Sequence, residues 1–239
     1  MRNLDEMKTE EYLDSTYLKT AEQSSISEEK NKENIVDLVN EAIEHNFKLV
    51  MIRPEFVAMA KKMTMDSEVL VGTVIDFPMG DGTTEEKLKQ AKEVIDLDAD
   101  ELDYVCDYNF FKQKRFEKFD VDIIEGTKLA VNYNKTVKWI IETGALSRVE
   151  IRSITERISN IVSKNFPDFS ERVFIKTSTG YYGGFGATVK DVKMMKAVSG
   201  KLPIKASGGV SNFSDFEKIV EAGAVRVGTS KALQIYLQK

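Results

Sequence analysis

The stretch Val173-Phe174-Ile175-Lys176-Thr177-Ser178-Thr179-Gly180 closes a short apolar run with a lysine and then passes into small residues and a glycine. The same pattern returns 29 positions later, where Leu202-Pro203-Ile204-Lys205 leads into Ala206-Ser207-Gly208-Gly209. Lysine is rarely buried without a partner. Two of them at the ends of runs that read as doubly covered strands therefore need a chemical reason. Amine chemistry supplies one.

Outward from this pair, short apolar runs alternate with amphipathic helical stretches along the chain. The runs centre near Tyr12 to Asp14, Leu49 to Ile52, Val69 to Phe77, Leu102 to Cys106, Val137 to Ile141, Val173 to Lys176, Leu202 to Ala206 and Val225 to Val227. Between them, Ile35, Leu38, Val39, Ala42 and Ile43 share one helical face, as do Ile151, Ile154, Ile158 and Ile161. Thr83 with Glu86 and Ser147 with Glu150 have capping-box spacing, Pro54 suits a first helical turn, and Gly200 and Gly223 suit helix C-termini. Eight strand-helix units of about 30 residues match a (β/α)8 barrel. No linker divides the 239 residues, so a single domain over 1-239 is expected, with 1-11 as a polar N-terminal extension. The first strand is the weakest, since Leu13 and Leu18 flank polar residues, and an open doubly wound sheet is the competing architecture.

Composition removes several chemistries. A net charge of -5 with interspersed signs offers no basic face for nucleic acid, and no apolar run approaches the ~18 residues that span a membrane. The polar N-terminus does not read as a signal peptide and the one cysteine, Cys106, has no internal disulfide partner, which points to the cytoplasm. The single histidine, His45, lies at the polar end of a helical stretch and reads as a solvated surface group. A histidine-rich zinc site and a histidine triad both fall away, leaving lysine and carboxylate as the reactive groups. Neither metal nor organic cofactor is expected.

In a barrel, functional side chains project from the C-terminal ends of the strands, where Lys176 and Lys205 fall on neighbouring strands. A second ammonium nearby, together with burial, lowers a lysine pKa and frees the nucleophilic amine. Strand alternation turns Asp103 away from Leu102 and Tyr104 and into the barrel, where it can move protons; Asp14 and Glu142 are further strand-borne acids. The glycines after both lysines, with Gly228-Thr229-Ser230-Lys231 after the eighth run, offer backbone amides to an anion such as a phosphate.

These residues together resemble the deoxyribose-phosphate aldolase family of class I, Schiff-base aldolases. The likeness runs from about residue 12 to 235, through Lys176 to Gly180, Lys205 to Gly209, Glu101-Leu102-Asp103, Phe77-Pro78-Met79-Gly80, Ile140-Ile141-Glu142-Thr143-Gly144, Gly186-Ala187-Thr188 and Gly228-Thr229-Ser230. The resemblance implies a (β/α)8 barrel in which Lys176 is the nucleophile and Lys205 and Asp103 manage protons. It also implies a phosphosugar held by Gly180, Gly208, Gly209, Gly228, Thr229 and Ser230. The implied reaction is reversible cleavage of 2-deoxy-D-ribose 5-phosphate to D-glyceraldehyde 3-phosphate and acetaldehyde. An aldolase of another phosphosugar and a non-catalytic sugar-phosphate binder are the alternatives.

Ser15, Asp76 and Asp107 depart from the family pattern, which commonly has histidine, glycine and asparagine there; the acids pair with Arg53 or Lys138, or add negative charge at the mouth. Tyr181, Tyr182 and Phe185 make the loop after Lys176 aromatic, suited either to closing over substrate or to packing on the rim. Tyr236 is the local candidate for a C-terminal tyrosine relay, and the N-terminal residues suit either a cap on the barrel or a homodimer contact.

Overall fold

A computed structural model describes residues 8-239. Eight parallel strands close into one barrel in chain order: β1 (Leu13–Tyr17), β2 (Leu49–Ile52), β3 (Leu70–Ile75), β4 (Glu101–Val105), β5 (Thr136–Ile140), β6 (Val173–Lys176), β7 (Ile204–Ser207) and β8 (Ala224–Thr229). The weak first strand decides between closure and an open sheet. Asp14 pairs with Leu49 of β2 on one side and Gly228 of β8 on the other, so the ring is complete.

The helices are α1 (Ala21–Ser24), α2 (Glu28–Glu44), α3 (Val57–Met63), α4 (Thr84–Asp96), α5 (Tyr108–Lys112), α6 (Phe116–Asn132), α7 (Arg148–Asn165), α8 (Val189–Lys196), α9 (Phe213–Glu221) and α10 (Ala232–Tyr236). Both expected capping boxes are present: Thr83 and Ser147 accept from the amides of Glu86 and Glu150, whose carboxylates accept from the amides of Thr83 and Ser147. Pro54 opens a 3-10 turn ahead of α3. Gly223 takes φ +114 directly after the last turn of α9, whereas Gly200 lies beyond the end of α8, in the turn that leads to β7.

The main core lies between barrel and helices. Ile35, Val39 and Ala42 of α2 and Ile151, Ile154, Ile158 and Ile161 of α7 are buried there, each large side chain contributing about 1.5-3 kcal/mol. Inside the barrel the surface is divided. Leu49 and Met51 of β2 and Val74 of β3 form a separate apolar cluster with Leu18. The inward positions of β1, β4, β5, β6, β7 and β8 instead carry Asp14, Glu101, Asp103, Lys138, Lys176, Lys205 and Arg226, all buried.

Of the polar N-terminal extension, residues 1-7 lie outside the described residues; Thr9–Tyr12 form a 3-10 turn that leads into β1, and the Glu10 carbonyl accepts from the Lys48 amide. His45 is half-buried rather than fully solvated, its ring 5.7 Å from Phe47 and 5.2 Å from Tyr236. These residues precede β2, so Tyr236 sits at the end of the barrel where strands begin, opposite the end that carries Lys176.

Candidate active site

Parallel register sets the geometry. Asp103 stands beside Lys138, Ile140 beside Lys176, and Lys176 beside Lys205, which places three lysines around one carboxylate. Asp103 Oδ2 accepts from Lys176 Nζ at 2.9 Å and from Lys205 Nζ at 3.0 Å, while Oδ1 accepts from Lys138 Nζ at 2.6 Å. Lys138 also lies 2.5 Å from Glu101, and Lys205 Nζ lies 2.6 Å from Asp14 Oδ2. Arg226 completes the array by donating to Asp14 Oδ1 at 2.7 Å and to both oxygens of Glu101 at 3.2 and 3.3 Å.

Four cations thus face three carboxylates. Among the described residues Lys138, Lys205 and Arg226 each contact two of those carboxylates, and Lys176 contacts only Asp103. The surplus positive charge is most easily shed at the cation with one anionic partner. Burial lowers the Lys176 pKa first; Asp103 opposes it, Lys205 and Lys138 reinforce it, and the outcome is about 8. Burial therefore ranks ahead of the neighbouring lysine as the cause. For Asp103, burial favours the neutral acid but the three lysines outweigh it and hold the carboxyl well below its usual range. Burial likewise works against ionised Glu101, and Arg226 and Lys138 bring it down to about 2. Such an array keeps a carboxylate charged beside an amine that can be neutral.

The sequence offers Lys138 only as a partner for Asp76 or Asp107 and Glu101 only as part of a matching segment, and Arg226 draws no notice there. Their signal was present as a charged residue at an inward position of an apolar run, as in Val137-Lys138-Trp139 and Val225-Arg226-Val227. Among the described residues Glu142 makes no salt bridge to a lysine, although the Lys176 charge acts on it through space. It follows β5 with φ 56, and its Oε2 accepts from the Thr179 amide at 3.1 Å and from the Thr179 hydroxyl.

The glycine loops converge at this end. A Cβ on Gly180 would come within 3.9 Å of Gly208 Cα, and one on Gly186 within 2.3 Å of the Gly208 carbonyl, so the loops after β6 and β7 lie backbone to backbone. The Thr229 hydroxyl donates to the Val210 carbonyl at 2.7 Å, tying Thr229 and the adjoining Ser230 to the β7 loop. Gly228 sits within β8, paired with Asp14 and Ser207, and a Cβ there would approach Lys205 Cε to 3.2 Å.

The three departures resolve locally. Asp76 accepts from the Gly82 amide at 2.9 Å and lies 3.7 Å from Lys87, and Asp107 caps α5 by accepting from the Phe110 amide at 2.9 Å. Neither pairs with Arg53 or Lys138. Ser15 alternates with the inward Asp14 and so faces the helix layer.

A closed (β/α)8 barrel with a buried lysine-carboxylate array in its interior, reaching Lys176 at the C-terminal end of β6, defines a lysine-bearing barrel enzyme, and comparison with known proteins specifies the family. The model of the DeoC/LacD family of aldolases matches residues 12–237. The chain is 42% identical over 230 residues to deoxyribose-phosphate aldolase 1 of Staphylococcus aureus strain MSSA476, covering 96% of both chains. It is 41% identical over 224 residues to deoxyribose-phosphate aldolase of Staphylococcus epidermidis, covering 93% of both. Among solved structures, the tetrameric deoxyribose phosphate aldolase from Aeropyrum pernix superposes with a TM-score of 0.80 at 26% identity, over 97% of this chain and 92% of that one. An aldolase called QR15 gives 0.82 at 29%, over 96% and 94%. The chain belongs to the DeoC/LacD family of aldolases and is an enzyme of the carbon-carbon lyase class.

Proposed function

We propose that this enzyme cleaves 2-deoxy-D-ribose 5-phosphate reversibly to D-glyceraldehyde 3-phosphate and acetaldehyde through a Schiff base on Lys176. The observation that carries this reading is the buried Lys176 amine, held at a pKa of about 8 and 2.9 Å from Asp103. The neutral amine adds to carbon 1 of the open-chain sugar and loses water to give the iminium. A base removes the 3-hydroxyl proton, the bond between carbons 2 and 3 breaks, and its electron pair flows into the iminium. D-Glyceraldehyde 3-phosphate leaves and the enamine of acetaldehyde stays on Lys176. Protonation at carbon 2 and hydrolysis then return the free amine.

Asp103 and Lys205 are the groups to relay these protons, because Lys205 bridges Asp103 and Asp14 beside the nucleophile. We assign the substrate phosphate to the loops after β6, β7 and β8, with Gly180, Gly208, Gly209, Thr229 and Ser230 as its partners; the close approach of the Gly180, Gly186 and Gly208 backbones and the Thr229 bond to Val210 support this. Gly228 is assigned to the phosphate as well, and from within β8 it leaves room for the Lys205 side chain. The purified chain should cleave deoxyribose 5-phosphate, and Lys176→Ala should abolish turnover. Borohydride in the presence of acetaldehyde should leave an ethyl group on Lys176. An unmodified Lys176 would overturn the mechanism.

A further inference from the structure

The loop after β6 does not stay on its own side of the barrel. Tyr181, immediately after Gly180, packs on the inward-facing apolar cluster of Leu18, Leu49, Met51 and Val74, and its ring meets Phe77 edge-on at 5.0 Å. Phe77 follows β3, and the Arg53 guanidinium, which follows β2, lies 5.9 Å from the Phe77 ring centroid while its Nε donates to the Leu18 carbonyl at 2.7 Å. Burial raises the pKa of the Tyr181 hydroxyl, and the Arg53 charge acts on it in the opposite sense, lowering it. In an eight-stranded ring β6 stands opposite β2, so a residue that follows β6 and packs on Phe77 and on the apolar cluster of β2 and β3 reaches across the mouth. Lys176, at the end of β6, is only 2% exposed. Tyr182 and Phe185 anchor the outer part of the loop, the first 6.2 Å from the Tyr108 ring and the second against Gly144.

We propose that Tyr181, braced by Phe77 and Arg53, is a specificity-determining residue that walls the apolar half of the chamber above Lys176 and restricts the carbonyl donor to a small, unbranched aldehyde. The inference rests on Lys176 being the imine-forming residue. On this reading the charged half of the interior takes the polar groups of the substrate, which leaves the apolar cluster of Leu49, Met51 and Val74 with the Tyr181 ring as the surface for carbon 2 of the donor. An apolar wall discriminates by volume: extra methyl groups must displace a packed ring or be refused. Gly180 and Gly183 take φ of +81 and +55 on either side of the Tyr181-Tyr182 pair, a backbone that glycine adopts without strain and that lets the wall stand across the mouth.

The test is borohydride trapping at Lys176, read by peptide mass spectrometry, with acetaldehyde and 3-methylbutanal as probes. Wild type should trap acetaldehyde in strong preference. Tyr181→Ala should raise the 3-methylbutanal to acetaldehyde ratio at least tenfold, Tyr181→Phe should stay within about twofold of wild type, and Phe77→Ala should shift the ratio in the direction of Tyr181→Ala. An unchanged ratio in both alanine variants, with trapping intact, would overturn the role of Tyr181. No trapping of either probe in wild type would instead overturn the assignment of Lys176 on which it rests.

Discussion

At the scale of the residue, Lys176 is held in a state that favours chemistry over stability. With a pKa of about 8 against an ordinary 10.5, about one amine in eleven is neutral at pH 7, compared with about one in three thousand for a free lysine. The same shift bears on folding. Between pH 8 and 10.5 the unfolded chain binds more protons at this position than the native one, so this contribution to stability rises with pH through that window. Below pH 8 the folded protein carries the full cost of protonating an amine in a crowded positive site, of order 3 kcal/mol. Lys176→Met leaves three cations facing three carboxylates. It should therefore be more stable than wild type at pH 7 by about 1-3 kcal/mol, with the difference shrinking toward pH 10. Urea unfolding of both proteins across that range checks this, and a variant less stable at pH 7 would show that the Asp103 contact outweighs the surplus charge.

At the scale of the element, the connection after β5 carries the loop after β6. Glu142, with its left-handed backbone, buries a carboxylate whose Oε2 holds both the amide and the hydroxyl of Thr179, and the Thr179 hydroxyl in turn accepts from the Tyr181 amide at 3.0 Å. Burial raises the Glu142 pKa, opposed by the Thr179 donors. Glu142→Ala strands those donors and frees the segment from Thr179 to Tyr181. It should destabilise the fold by about 2 kcal/mol and raise KM for the phosphosugar more than it lowers kcat. Glu142→Gln keeps an oxygen acceptor in the same place and should restore KM, which steady-state kinetics on both variants will decide.

The strands themselves were legible because parallel strands covered on both faces read as continuous apolar runs, so Leu49 to Ile52 and Val173 to Lys176 were bounded as they stand. Lys176, Lys205 and Asp103 were legible as charged residues at strand ends or on the inward phase. The rest of the array was not, because its meaning lies in closure: Arg226 is 212 positions from Asp14 and 125 from Glu101, and no local pattern pairs them. The crossing of Tyr181 to Phe77 was hidden for the same reason. The partners of Asp76 and Asp107 were not legible either, because a left-handed turn and a helix cap, rather than Arg53 or Lys138, hold them.

At the scale of the whole molecule, closing the barrel turns seven side chains from six strands into one electrostatic object. Its positive members outnumber its carboxylates by one, and the proton that leaves is the one on Lys176. Lys138 is the sharpest probe of this idea. It lies one strand from Lys176, the proposed nucleophile, and acts on Lys176 both directly and by neutralising Asp103. In Lys138→Met three cations remain for three carboxylates, Asp103 holds Lys176 more strongly, and Lys176 keeps its proton. The rising limb of kcat/KM against pH, which reports the free enzyme, should then move from about 8 to higher pH by about one unit or more. Activity at pH 7 should fall about tenfold or more, yet approach the wild-type value near pH 10, where either protein presents a neutral amine. Loss of activity at every pH would mark Lys138 as necessary for the fold or the chemistry itself. A limb still centred at about 8 would mean that burial alone sets the Lys176 amine and that the charge balance of the barrel has no part in it.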